Sequence, residues 1–321
     1  MERKQIEEII ECLPRGRTKF YYYKDRYAQM LLSYFIGKKG LAVHQLKNSR
    51  YRRLIDKPLV QQVIRNHGCK MLTAKEVGSF WPESYHCYLL TLSKWGDQRS
   101  WSRLYNQTSR SGWNLVLQLN FSSKHNSCYN QLIKPGDLQP FQSYGHPVAG
   151  DGHHTLAWAR IDLDFANNEA LIEEIQNDWI RLAIKSEKHL AANENRTQAR
   201  RRYLPRYVRE LGCDRQSLSR YLEDELKAHM RVWEEAMLAS AIWFLREELG
   251  INNIFYHTYD LGCRLKRISG SRPPRSLYTK LPEKFCFQKT RQAPAFLMQK
   301  ANRRVRDLIK NQGPRFYSLV V

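Results

Sequence analysis

Several absences in this chain of 321 residues narrow what it can do. No apolar run approaches the ~18 to 20 residues needed to cross a bilayer, so membrane spanning is not expected. No basic-then-apolar leader opens it; Met1 to Lys4, followed by IEEIIECL from Ile6, reads as an amphipathic helix, which argues against secretion. The seven cysteines (Cys12, Cys69, Cys87, Cys128, Cys213, Cys263, Cys286) are scattered, odd in number and never spaced C-x-x-C. That pattern suits reduced thiols of a soluble, cytoplasmic protein, packed mostly as small core residues, and disfavours a disulfide framework or a structural zinc site. A Walker-type phosphate loop, H-E-x-x-H and G-x-S-x-G are also missing, so NTPase, zincin and α/β-hydrolase chemistry have little support.

Acidic residues are scarce too: 31 Asp+Glu stand against 53 Lys+Arg, a formal charge of +22. Such an excess attracts phosphate backbones through counterion release, without specifying a sequence. Nucleic acid, DNA or RNA, is therefore the expected partner. Hydrophobic residues make up 42% and aromatics 12%, with eighteen Tyr and eight Trp, enough to build a core. The length suggests about two domains.

Residues 18–36 carry apolar and aromatic side chains on most of their circumference and stop at Gly37, which predicts a largely buried helix. Short helical pieces are predicted over 41–55, 58–66 and 73–80, the second opening on Pro58. Short helices joined by tight turns build helix-turn-helix and winged-helix modules, so residues 1–82 are expected to form a basic, helical, DNA-binding module of winged-helix-like type. Lys47, Arg50, Arg52 and Arg53, with Lys57, crowd beside Ser49 and Tyr51. This mixture grips phosphates; the alternative is a solvated basic face, which charge alone does not separate.

From Tyr85 the period becomes that of strands, with 85–95 and 113–121 bounded by Gly96 and Gly112. The connection between them carries Arg99, Trp101, Arg103, Tyr105 and Arg110, which suits single-stranded nucleic acid or, equally, a long hairpin connection with its aromatics under the sheet. A Pro/Gly-rich loop over 135–152 leads through His146, Asp151, His153 and His154. These residue types are zinc donors, but no rigid element fixes their spacing and no metal is expected. Residues 155–165 and 170–176 alternate on both sides of Asn167-Asn168, a β-hairpin signature. Asp178 is expected to cap a helix reaching about Ala192.

A basic insertion over about 193–227 holds Arg196, Arg200, Arg201, Arg202, Arg206 and Arg209, with Tyr203 and Tyr207 among them. It reads either as phosphate and base contacts or as a solvated face balanced by acidic residues such as Glu223 and Glu235. A long core helix over 215–249 ends at Gly250. There follow a strand over 253–259, a basic loop through Arg264, Lys266, Arg267, Arg272 and Arg275, a strand over 285–288, and a basic helix holding Arg303, Arg304, Arg306 and Lys310.

From Tyr85 onward this order resembles the GNAT N-acetyltransferase family. The clearest part is the end: the helix closing at Leu249-Gly250, the strand from Asn253, then Ser276-Leu277-Tyr278-Thr279-Lys280-Leu281 and Phe285-Cys286-Phe287, similar to the family's "LY-x-K-x-GF" ending. The resemblance implies an α+β chain in which a mixed sheet flanked by helices occupies 83–321 and follows the helical module. It also implies Tyr278 as general acid, Glu173 or Glu174 as base, and acetyl-CoA as donor. The family's glycine turn for the pyrophosphate is missing, however, for the matching place reads Gln176-Asn177-Asp178-Trp179-Ile180-Arg181. The stretch from Ile172 to Trp179 is also similar to an "IEEIQSDW" signature of polyvalent proteins in phages and mobile elements. If the strand persists, Glu174, Gln176 and Asp178 alternate onto one face, either lining a cleft or forming a core network anchored by Trp179.

Together these features lead to an expected nucleic-acid-binding protein of a phage, mobile-element or genome-defence setting, carrying a GNAT-like domain. The alternative is an active acyltransferase that takes acetyl-CoA or an aminoacyl-tRNA, with Tyr278 as acid and Glu174 as base. A third reading is a component of a larger assembly with protein partners.

Overall fold

The computed structural model describes residues 1–12, 18–37, 39–66, 71–97, 107–150, 152–193, 204–268, 270, 272–310 and 315–321. Among the described residues ten strands run in chain order: β1 Thr18–Tyr22, β2 Leu41–Ala42, β3 Met71–Leu72, β4 His86–Asp97, β5 Gly112–Asn120, β6 Thr155–Asp164, β7 Glu169–Gln176, β8 Asn253–His257, β9 Gln288–Thr290 and β10 Phe316–Val320. Eight of them form one sheet in the order β1-β4-β5-β6-β7-β8-β10-β9, while β2 and β3 pair as a small ribbon. Every neighbouring pair in the large sheet is antiparallel except β7 and β8, which run parallel. This is an α+β architecture, a helical N-terminal part followed by a large mixed sheet flanked by helices, and it is compatible with a GNAT-like fold.

The stretch after Thr18 departs from the expected helix. Phe20 and Tyr22 are buried while Lys19 and Tyr21 are not, a period of two that makes Thr18–Tyr22 an edge strand. Asp25, in the left-handed region at φ 63, then turns the chain into the helix Arg26–Ile36. The N-terminal part contributes helices α1 (Arg3–Cys12), α2 (Arg26–Ile36), α3 (Val43–Lys47), α4 (Arg52–Ile55), α5 (Pro58–Asn66) and α6 (Ala74–Ser79). Thr73 caps α6 through the Glu76 amide, and the Glu76 carboxylate accepts from the Thr73 amide in return. One hydrophobic core runs across residue 82, joining Leu31, Leu54 and Val60 to Leu117, Ile161 and Tyr256. Glu235 reinforces that junction: its buried carboxylate accepts from Lys24, Lys284 and the Tyr22 hydroxyl.

Beyond β5 lies α7 (Ser123–Ile133), capped by Ser122, an element that sequence periodicity did not reveal. After β7 comes α8 (Trp179–Ala192). The long helix expected over 215–249 is broken into α9 (Arg215–Arg220), a π-helical stretch Tyr221–Leu226, α10 (Lys227–Met230), α11 (Trp233–Trp243) and a second π-helical stretch Phe244–Glu248. Gly250, at φ +67, ends it as expected. The last part holds α12 (Tyr259–Leu265), α13 (Lys280–Lys284) and α14 (Arg303–Lys310). The final strand is Phe316–Val320, inserted between β8 and β9, whereas Phe285, Cys286 and Phe287 pack in the core before β9 begins. Of the six cysteines among the described residues only Cys263 and Cys286 are buried, so the core role expected for most of them holds for two.

Two irregularities in the middle of the sheet position the site. Pairing of β7 with β8 stops at Ile172/Tyr256, one residue before β8 ends at His257, while β7 runs on to Gln176 beyond the end of its partner. The register of β6 and β7 also shifts: Arg160 lies opposite Glu174 and Ile161 opposite Ile172, which leaves Glu173 as the extra residue of a bulge. Trp179 anchors the turn that follows, fully buried against Phe121, Tyr129 and Phe141, with its indole N–H donated to the Tyr221 hydroxyl at 2.8 Å.

Candidate functional site

The bulge sends the two adjacent glutamates into different surroundings. Glu173 points into a sealed network, where its carboxylate accepts from the Ser109 amide at 3.1 Å, the Ser109 hydroxyl at 2.7 Å and His257 Nε2 at 3.0 Å. Burial would raise the Glu173 carboxyl, but the hydrogen bonds from His257 and Ser109 outweigh it and bring it to about 2. Burial holds His257 below its usual range, against the opposing pull of Glu173. Ser109, His257 and Glu173 are the residue types of a hydrolytic triad, arranged differently. The serine and the carboxylate both meet Nε2, at 2.9 and 3.0 Å, and all three residues are shut off from solvent. This network stabilises the bulge and offers no nucleophile.

Glu174 faces a cleft. Arg160, opposite it on β6, donates to its Oε2, and Lys266 Nζ lies 3.8 Å from the same oxygen. Burial would raise the Glu174 carboxyl, but these two cations overcome it and the acid is held below its usual range. Such a carboxylate stays ionised, which makes it a weak base and a good fixed charge. Glu174 and Gln176 line a cleft of about 490 Å³ together with His146, Arg181, Trp233 and Arg272. Beside them Asp178 accepts from the Trp158 indole at 3.3 Å and from Gln176 Nε2 at 2.9 Å; His146 Nδ1 stands 2.7 Å from it and Arg181 also pairs with it. The three polar residues expected on one face do come together, partly open to solvent and partly bonded into the core.

Lys266 and Tyr278 sit elsewhere than expected. Lys266, read from sequence as a phosphate contact, is buried and donates to the Glu173 carbonyl at 2.9 Å and the Tyr278 hydroxyl at 3.2 Å. Burial pushes its ammonium below the usual lysine range. A buried, committed ammonium cannot reach a phosphate outside. Tyr278 is likewise buried, is not among the residues lining the Glu174 cleft, and has its hydroxyl pushed far above the usual phenol range by burial. In this position it is a poor proton donor to anything held in that cleft.

The remaining basic residues divide sharply. Arg206 clasps the loop after α7, donating to the Gln139 and Gln142 carbonyls and stacking on Tyr144, so it is a structural pin where sequence suggested a phosphate contact. Arg200, Arg201 and Arg202 lie outside the described residues, as do Arg99, Trp101, Arg103, Tyr105, Asp151 and Arg196. Lys47, Arg52 and Arg53 are exposed on the N-terminal helices, and exposed Arg50 stacks on Tyr51, bonding its hydroxyl at 2.6 Å. Arg264, Arg267 and Arg272 converge with Arg304 of α14 around a second cavity of about 490 Å³. A third, of about 500 Å³, is lined by Arg264, Arg275, Lys289 and Arg315. The second and third share Asp260 and Arg264; the second and the Glu174 cleft share Ile268 and Arg272. Through these shared residues the three hollows adjoin one another, with basic residues in each lining and an ionised glutamate in the last.

The start of α8 bears on acetyl-CoA. The Ile180 amide already donates to Asn177 Oδ1 at 2.8 Å, the Leu182 amide bonds the Asp178 carbonyl at 2.8 Å, and the Asp178 carboxylate stands at the turn, held below its usual range by His146 and Arg181 against the opposing effect of burial. An anionic pyrophosphate would meet a carboxylate and a used amide there, so these residues do not fit one. Among the described residues no group of three or more His, Cys, Asp or Glu is placed to hold a metal ion, and no helix is long and apolar enough to cross a membrane.

Sequence reasoning missed Arg160, Ser109 and His257. Arg160 left a signal, a lone cation in the apolar strand Thr155–Asp164 that demands an acidic partner on its neighbour. Ser109 and His257 left none, being brought together across 148 residues of chain. No family model matches the chain, and neither a curated protein nor a solved structure matches it at a significant level.

Proposed function

We propose that this protein binds nucleic acid along the groove between α12, the loop after it and α14. The observation that carries this reading is the continuity of the arginine-lined hollows: Arg264 belongs to two of them and Arg272 joins the second to the Glu174 cleft. Guanidinium groups suit phosphate because they donate in a planar fork and stay charged. Spaced along a groove rather than spread over a face, they follow a backbone, and the net charge of +22 adds long-range attraction. The exposed Lys47, Arg52 and Arg53 extend the same surface chemistry to the N-terminal helices. A phage, mobile-element or genome-defence setting, and partners in a larger assembly, go with this reading through the resemblances in the sequence, as does a GNAT-like origin for the sheet.

The test is binding of fluorescent single- and double-stranded oligonucleotides across salt. If Arg264, Arg267, Arg272, Arg275 and Arg304 each neutralise one phosphate, affinity for a single strand falls about a hundredfold between roughly 50 and 200 mM salt. Affinity that is absent, or flat with salt, refutes the reading.

A second reading, acyl transfer from an aminoacyl-tRNA donor, is favoured by one observation: Glu174 lines the cleft in which the basic groove ends. Held ionised by Arg160 and Lys266, Glu174 would orient an amine or ammonium there by charge. Turnover lost in Glu174→Gln but kept in Tyr278→Phe is the outcome that supports it.

A further inference from the structure

Within that groove the middle hollow is more strongly charged than a passing backbone requires. Its wall holds the guanidinium groups of Arg264, Arg267, Arg272 and Arg304 against a single carboxylate, that of Asp260. Asp260 is itself exposed and lies 3.9 Å from Arg275, which belongs to the next hollow. One internal phosphodiester carries a single negative charge, whereas a phosphomonoester carries about −1.5 to −2 and presents three acceptor oxygens.

The chain accepts a backbone cost to place one of these arginines. Helix α12 ends in a Schellman turn: the Ile268 amide donates to the Cys263 carbonyl at 2.9 Å and the Arg267 amide to the Arg264 carbonyl at 3.3 Å. Arg267 occupies the left-handed position of that turn at φ 56, where glycine is the relaxed choice. Nothing in the helix end requires an arginine there. Its side chain joins Arg264, one turn back, at the mouth of the hollow, and Arg304 reaches in from α14 with an Nη2 to Arg264 carbonyl bond of 3.4 Å. Burial, and then the charge of Arg267, pull the Arg304 guanidinium below its usual range. Like charges gathered in this way are relieved by an anion of matching charge.

We infer that the hollow formed by Arg264, Arg267, Arg272 and Arg304 takes a terminal phosphomonoester of a nucleic-acid strand, with the strand leading past Arg272 into the Glu174 cleft. This rests on the nucleic-acid reading and narrows it to strand ends. The experiment uses the full chain and one single-stranded oligonucleotide sequence made with hydroxyl ends, with a 5′-phosphate and with a 3′-phosphate, each followed by fluorescence anisotropy at fixed salt.

One phosphorylated form is expected to bind at least about tenfold tighter than the hydroxyl form, by adding charged hydrogen bonds that the latter lacks. In Arg267→Gly the preference shrinks at least severalfold while the melting temperature rises by about 1 to 2 °C, because glycine relaxes the left-handed turn. Arg304→Ala likewise removes the preference, and its fold is checked by the same melting curve. Equal affinity for all three probes overturns the inference and leaves the broader reading standing; failure of all three probes to bind overturns both. A nucleoside monophosphate that competes as well as the phosphorylated strand assigns the hollow to free nucleotides and overturns the strand-end assignment.

Discussion

Lowering the pH from about 7.5 to about 5 is expected to destabilise this protein through histidines that the core keeps neutral. His125 lies flat on Phe121, ring centroids 3.6 Å apart, with Nε2 2.9 Å from the Tyr221 hydroxyl. Burial pulls it down to about 3. His154 packs 5.0 Å from Trp179, with Nδ1 facing the Gln142 amide group at 3.3 Å, and burial pulls it down to about 4. His229 and His86, whose tilted rings lie 4.4 Å apart nearby, are shifted the same way. Because the folded values lie below the unfolded value of 6.5, the unfolded chain takes up these protons first. The stability they contribute is therefore complete above about pH 6.5 and is lost as pH falls toward the folded values. At about pH 5 the loss is about 2 kcal/mol for each of His125 and His154, about 4 kcal/mol for the two. Glu173, Glu174, Asp178 and Glu235, all held below the usual carboxylate range, add their own losses only at more acid pH. Urea unfolding at the two pH values measures the total, and His125→Phe isolates one share: Phe keeps the stacking on Phe121, and Tyr221 keeps its bond from Trp179. The variant should recover about 2 kcal/mol of the acid loss. An acid sensitivity of unchanged size in His125→Phe refutes the reasoning.

Arg264→Ala and Arg275→Ala should each make the slope of log affinity against log salt shallower by about 0.7 to 0.9, with little effect on the melting temperature. Lys266→Met should cost about 3 kcal/mol or more in urea unfolding, because it strips the Glu173 carbonyl of its donor and leaves Glu174 with one cation fewer. Exposed Lys47→Ala, read in the same assay, should stay within about 0.5 kcal/mol of the parent. Trp179→Ala should cost about 3 to 5 kcal/mol and leave the Tyr221 hydroxyl with His125 but without the indole donor, a loss visible in the unfolding midpoint and in near-ultraviolet circular dichroism.

The hairpin β6–β7 was legible in the sequence because alternation on both sides of Asn167-Asn168 fixes strand, turn and pairing locally, and Asn168 does adopt the left-handed turn conformation at φ 52. The stop at Gly250 was legible for the same reason, a backbone demand met by one residue. So was the unusual run of Glu174, Gln176 and Asp178 in an apolar element. The strand at Thr18–Tyr22 was misread because a dense aromatic run satisfies helical and strand periods alike, and only its pairing with β4 selects between them.

Charge and patterning in the sequence determined an excess of cations, a mixed α+β chain and a polar run at the end of a buried strand. The tertiary structure alone decided which of those charges face outward. Arg264, Lys266 and Arg267 are near neighbours in sequence, yet the geometry of one helix end exposes the arginines and buries the lysine beneath them. Glu173 and Glu174 are adjacent, yet one extra residue in the β6–β7 register turns the first toward Ser109 and His257 and the second toward the cleft. Orientation of this kind depends on contacts between residues far apart in the chain, to which composition and local periodicity are blind.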